Sequence, residues 1–164
     1  MSGFLTSWGP VLVATLGVTI VAIAGMKLTI LDDWYYNLKK PSWQPPDWLF
    51  GPAWTLIFIG EVTAAVLGWE AIRNPVILAL FIISLLVNGI LNILWSLFFF
   101  KQRRPDIALI ESGFLWASVA FPMFILALYA GSCWIFLLPY LLWVSFANML
   151  NRKIVCLNAP FGGV

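Results

Sequence analysis

Asn88, Asn92, Trp95 and Ser96 recur at helical spacing along one apolar run. With Ser84 and Phe99 they cover a face about 120° wide on an α-helix. Amides and hydroxyls inside such a run need partners that hydrocarbon cannot supply. Two chemistries fit: hydrogen bonding between packed helices, or hydrogen bonding to the polar edge of a ligand. A second run carries Trp54, Gly60, Glu61, Ala64 and Gly68 within a similar arc, and a third brings Pro139, Tyr140, Trp143 and Ala147 to one face. Trp8, Trp48, Trp69 and Trp134 sit at run ends, where tryptophan anchors helices at a membrane interface. Trp54, Trp95 and Trp143 lie farther in and offer flat surfaces for stacking. Glu61 lies far from both ends of its run, so its carboxyl is expected to be neutral, paired or in contact with water. A proton relay would need further titratable groups at that depth, and the chain has no histidine.

These side chains need long helices to position them. Hydrophobic residues make up 62% of the 164 residues and charged residues 10%, where soluble domains carry roughly 25% charge. The reading is an all-α membrane protein, a bundle of five transmembrane helices forming one domain, with spans at about 8–28, 48–69, 75–100, 107–129 and 133–150. Pro10, Pro75 and Pro105 fall near helix starts, whereas Pro122 and Pro139 fall inside spans and are expected to kink or unwind them. The first run lacks a basic leader and is read as a span rather than a cleaved signal. Cys133 and Cys156 stand too far apart along the last run to bridge. Without histidine, the usual zinc and haem ligand is missing, so no metal site is expected. The absence of a basic stripe argues against nucleic acid.

Charge placement orients the bundle. Of the nine Lys and Arg residues, only Arg73 falls outside the first loop, third loop and C-terminal flank. The positive-inside rule then puts those segments in the cytoplasm and the N-terminus outside. Trp54 lies ~9 Å below Trp48 along its helix, and Asn92, Ser96 and Trp143 reach a similar depth from their own helix ends. Three helices thus deliver aromatic faces and a few polar groups to one layer. That is the composition of a small-molecule pocket. The layer lies under loop 29–47, whose stretch from Trp34 to Trp48 is rich in aromatics. Its prolines, Pro41, Pro45 and Pro46, stiffen it into a lid. No internal repeat of the kind that builds secondary transporters is visible.

The loop pattern Trp34-Tyr35-x-x-Leu38-x-Lys40-Pro41-x-Trp43-x-Pro45-Pro46 resembles the opening signature of the TspO/MBR family of tryptophan-rich sensory and translocator proteins. Gly51-Pro52-Ala53-Trp54, Asn92-x-x-Trp95-Ser96-x-x-Phe99 and Pro139-Tyr140-x-x-Trp143-x-x-Phe146-Ala147 are similar to that family's later motifs, in the same order. The resemblance implies a five-helix, often dimeric, receptor or sensor that binds porphyrins such as protoporphyrin IX or haem, and other flat apolar ligands. No cofactor is implied. Carried over by motif, the ligand-contacting positions are Tyr35, Trp54, Asn92, Ser96, Trp143 and Ala147; the residues themselves add Asn88 and Trp95. The family also implies two alternatives. One is light-dependent porphyrin breakdown through Trp54 and Trp143; the other is transport of porphyrin or lipid. The expected location is a membrane such as the bacterial inner membrane. Leu150-Asn151-Arg152-Lys153 lacks the tyrosine of the family's sterol motif. Asn88 stands where many relatives have Gln, one methylene shorter. The small residues of the second span are expected to pack inside the bundle, leaving the first or third span as the dimer surface.

Overall fold

The computed structural model describes residues 2–161, with side chains described from Trp8 onward. Six α-helices follow in order: α1 (Ser2–Leu28), α2 (Asp33–Asn37), α3 (Phe50–Ala71), α4 (Pro75–Ser96), α5 (Pro105–Tyr129) and α6 (Leu138–Asn158). Five stretches are long and apolar enough to cross a membrane: Trp8–Leu28, Asp47–Ala71, Pro75–Lys101, Pro105–Tyr129 and Gly131–Asn158. The first four agree with the sequence reading to within a turn. The last runs two turns past Leu150, because Asn151 and Ile154 are buried rather than solvated. Asn151, in the orientation that satisfies its amide, donates to the Pro105 carbonyl and accepts from the Leu109 N–H, both at 3.1 Å. It staples the end of α6 to the start of α5.

Local chemistry fixes where the helices begin. Asn74 caps α4, its side chain accepting from the N–H groups of Val76 at 2.9 Å and Ile77 at 3.2 Å, and Pro75 occupies the first turn, where no N–H is needed. Pro122 lies buried inside α5, which continues past it without interruption. Pro139 acts differently. The segment Gly131–Leu137 is wound as 3-10 helix, and Pro139 falls in the first turn of α6, where the chain changes pitch. Pro139 thus coincides with a change of helix type, while the α-helical winding of α5 runs on through Pro122.

At its far end α4 widens into a π turn, Leu97–Lys101. The extra residue in that turn brings Phe99 and Phe100 around toward α2. Phe99 packs edge-on to Trp34 at 6.4 Å and Phe100 lies 5.8 Å from Tyr35. Arg103 closes the turn in the left-handed region, at φ 54°.

The core is layered along the bundle. Tyr35, Phe99, Ala108, Leu150 and Ile154 fill the end that carries the first loop; Ile57, Leu115, Val119, Tyr140 and Val144 fill the middle; Phe81, Leu126 and Leu137 lie toward the other end. The small-residue stripe of α3 is consumed inside the chain, as expected. A methyl group at Gly60 would overlap the backbone carbonyl of Phe136, and one at Gly68 would come within 2.5 Å of the Phe81 ring. Glycine is required there for close approach, not for a turn.

Candidate functional site

Four helices, one more than the sequence indicated, wall a cleft where the middle layer meets the layer nearest the first loop. From α3 come Phe50 and Trp54; α4 supplies Asn92 and Trp95; α6 supplies Trp143, Val144, Ala147 and Asn148. The fourth wall is α5, with Ser112 and Leu115. The cavity between these walls is about 40 Å³ and is open on one side. The aromatic walls brace one another. Phe50 meets Trp143 edge-on at 5.4 Å, Trp54 meets Tyr140 edge-on at 5.9 Å, and Trp95 stacks on Phe99 at 5.1 Å with planes 24° apart. Their ring faces are thus held in place before any ligand arrives.

One phenol organises the polar floor. The Tyr140 hydroxyl donates to Asn88 Oδ1 at 3.1 Å and accepts from Asn92 Nδ2 at 2.8 Å. Asn88 Nδ2 donates in turn to Ser118 Oγ at 2.9 Å, tying α4, α5 and α6 together. Asn92 spends its N–H on Tyr140, and its Oδ1 has no donor among the described residues. The indole N–H groups of Trp54, Trp95 and Trp143 likewise make no hydrogen bond there, whereas Trp116, on the outer face, donates to Ser145 Oγ at 2.9 Å. The cleft therefore offers broad apolar faces, open carbonyl acceptors on Asn92 and Asn148, and unpaired indole donors among the described residues.

A second cleft, of about 40 Å³, lies directly under the loop, with Tyr35, Gln44, Phe99, Phe100, Leu150 and Ile154 among its walls. Phe50, Trp95 and Ala147 line both clefts and form the partition between them. Tyr35 is buried, and its hydroxyl donates to Asp47 Oδ1 at 3.1 Å and accepts from Gln44 Nε2 at 3.4 Å. Burial, with Asp47 adding to it, pushes the Tyr35 phenol up to about 12, so it stays a neutral donor in physiological conditions. Gln44 Oε1 is buried without a partner among the described residues. At the other end of the loop, Asp32 caps α2 by accepting from the Tyr35 N–H at 3.2 Å and pairs with Arg103 at 2.7 Å. Those two contacts hold its carboxyl below the usual carboxylate range.

The structure thus brings Trp54, Asn92, Trp95, Trp143 and Ala147 together and places Tyr35 in the adjoining cleft. It does not bring Asn88 to the wall: that amide lies one turn deeper and acts through Tyr140. Ser96 is buried on another side of α4, and its Oγ would lie 3.9 Å from a methyl group on Gly25 of α1, outside both clefts. Phe50, Ser112, Leu115, Val144 and Asn148 escaped sequence reasoning. Phe50 stands one helical turn before Trp54 and was recoverable from that spacing; a lone serine such as Ser112 carries no such signal. Glu61 is 9% exposed and has neither hydrogen bond nor ion pair among the described residues, and both carboxyl oxygens of Glu111 are buried without a partner.

Residues 10–157 match the family model of the TspO/MBR family. The chain belongs to that family. It is 43% identical over 130 residues to the tryptophan-rich protein TspO of Chlorobaculum tepidum, covering 76% of this chain and 80% of that one. The tryptophan-rich sensory protein of Cereibacter sphaeroides is 35% identical over 130 residues, with 77% and 78% covered. The human translocator protein is 30% identical over 149 residues, with 88% and 87% covered. Family membership and the five apolar helical stretches make this an integral membrane protein.

Proposed function

We propose that the chain is a membrane receptor or sensor for tetrapyrroles, such as protoporphyrin IX or haem, and for similar flat apolar molecules. The observation that carries this reading is the cleft itself, walled by Phe50, Trp54, Trp95 and Trp143 with the open Asn92 carbonyl at its floor. Stacking supplies affinity for a flat ring system, and Asn92 hydrogen-bonds the ligand's polar edge. Names such as tryptophan-rich sensory protein among the relatives agree with sensing. The loop end faces the cytoplasm and the N-terminus faces outside, in keeping with Lys39, Lys40, Lys101, Arg103, Arg104, Arg152 and Lys153 at that end against Arg73 at the other. Two copies associate through lipid-facing helices; α1 suits this, since Gly9 and Gly17 have open space beside them.

The test is a titration of the purified chain with protoporphyrin IX, followed by absorbance. Saturable binding at one equivalent per chain is expected; a spectrum identical to free porphyrin in detergent overturns the reading. Trp54 and Trp143 line the same cleft, which favours porphyrin breakdown as a second reading. Absorbance that decays in light but not in darkness distinguishes it from reversible binding.

A further inference from the structure

One side chain joins the first loop to the opposite end of the chain. Asn158, the last residue of α6, accepts from the Lys39 N–H through Oδ1 at 2.8 Å and donates through Nδ2 to the Lys39 carbonyl at 2.8 Å. The same Nδ2 donates to the Ile154 carbonyl at 2.8 Å, which fixes the amide against its own helix. Both backbone groups of Lys39 are thus matched by one amide, much as a neighbouring strand would match them. Ile154 is itself a wall of the cleft under the loop.

The rest of the loop has few comparable ties. The backbone bonds of Leu38, Gln44 and Leu49 close turns within the loop segment, onto Tyr35, Pro41 and Pro46. Between residues 38 and 46, the bonds at Lys39 are the only hydrogen bonds from loop backbone to the bundle among the described residues. Trp43 adds an edge-on contact with Phe146 at 5.8 Å, and the exposed Asp32–Arg103 pair holds the upstream end. Pro41, Pro45 and Pro46 stiffen what lies beyond Lys39. Release at Lys39 leaves the stretch carrying Gln44 held by side chains alone, through the Gln44–Tyr35 and Tyr35–Asp47 hydrogen bonds and the Trp43–Phe146 contact, and Gln44 with Tyr35 roofs the second cleft.

We infer that Asn158 is a positioning residue whose amide clamps the loop closed, and that molecules reach the paired clefts when this clamp opens. A neutral clamp in partial contact with solvent suits a gate, because each such bond contributes only modestly and reforms readily. The inference rests on the reading of the clefts as a ligand site, but its test includes an arm without ligand. The same clamp closes over empty and filled clefts, so its loss raises entry and exit rates together.

The test uses Asn158→Ala and Asn158→Asp in the full chain. Aspartate keeps the acceptor for the Lys39 N–H and loses both donors. In a chain with Cys133 and Cys156 replaced by serine, Ala147→Cys places a thiol on the partition, and its modification by a soluble maleimide reports access. Asn158→Ala should speed modification roughly tenfold, the scale of two neutral hydrogen bonds, with Asn158→Asp between it and the parent. Association and dissociation rates of protoporphyrin IX should rise by a similar factor, with Kd changed less than about threefold; damaged packing would raise Kd instead. A thiol rate unchanged in Asn158→Ala, or porphyrin rates unchanged while the thiol reacts faster, overturns the inference and points to entry between the helices from the membrane. If the parent chain binds no protoporphyrin, the ligand reading fails, and the thiol rates alone still decide whether the clamp gates the clefts.

Discussion

Tyr140 does at residue scale what no single motif announces: it fixes the position of two amides and, through Asn92, of the cleft floor. Replacing it with Phe leaves Asn88 Oδ1 and Asn92 Nδ2 buried without that partner. Tyr140→Phe is expected to destabilise the chain by about 1–3 kcal/mol and to weaken porphyrin binding by misplacing Asn92; thermal unfolding and titration of the variant check both, and an unchanged midpoint contradicts the role. Tyr35 gives a pH prediction. Its folded-state value of about 12 exceeds the ordinary value of 10.0, so the contribution of its protonated form is complete below pH 10 and is lost as pH rises through about 12. Hydrogen exchange of loop 29–47 should therefore accelerate between those limits in wild type and show no such step in Tyr35→Phe. Helical period and depth made the meeting of Trp54, Asn92, Trp95, Trp143 and Ala147 around one cleft legible from sequence. They misled at Ser96, because a wide helical face can touch two neighbours, and the Ser96 side belongs to α1.

At the scale of elements, five long helices were legible because hydrocarbon forces apolar runs of fixed length. The ends were less so. The last helix outran its apolar run because Asn151 and Asn158 use polar side chains to tie other elements to it, and polarity alone reads as exit from the membrane. The π turn after α4 has no sequence signature, since it depends on Phe99 and Phe100 finding Trp34 and Tyr35. The glycine stripe of α3 was legible as close packing, and it supports a direct prediction. Gly60→Leu must displace the Phe136 backbone, which a side-chain shift cannot relieve. It should cost about 3 kcal/mol or more and abolish a single cooperative unfolding transition in detergent. Gly113→Leu, with open space beside it, should leave that transition unchanged; equal behaviour of the two would show that the stripe faces lipid.

For the whole molecule, the proposed orientation rests on the charge pattern and the proposed function on the aromatic layer. A cysteine replacing Ser42, which is exposed in the loop, should react with membrane-impermeant thiol reagents only from the cytoplasmic side; labelling in intact cells would reverse the topology. What sequence alone left open was the order in which the helices surround the cleft. That order depends on α5, whose buried face packs against both α4 and α6 and whose Ser112 and Leu115 complete the wall. The central claim is that this wall receives a flat ring system. It is tested most directly by quenching of tryptophan fluorescence by protoporphyrin IX in the wild type, in Trp54→Phe/Trp143→Phe and in Trp116→Phe. Wild type and Trp116→Phe should quench with the same affinity, while the double variant binds roughly tenfold more weakly as two stacking faces shrink. Equal affinity in all three would contradict the claim.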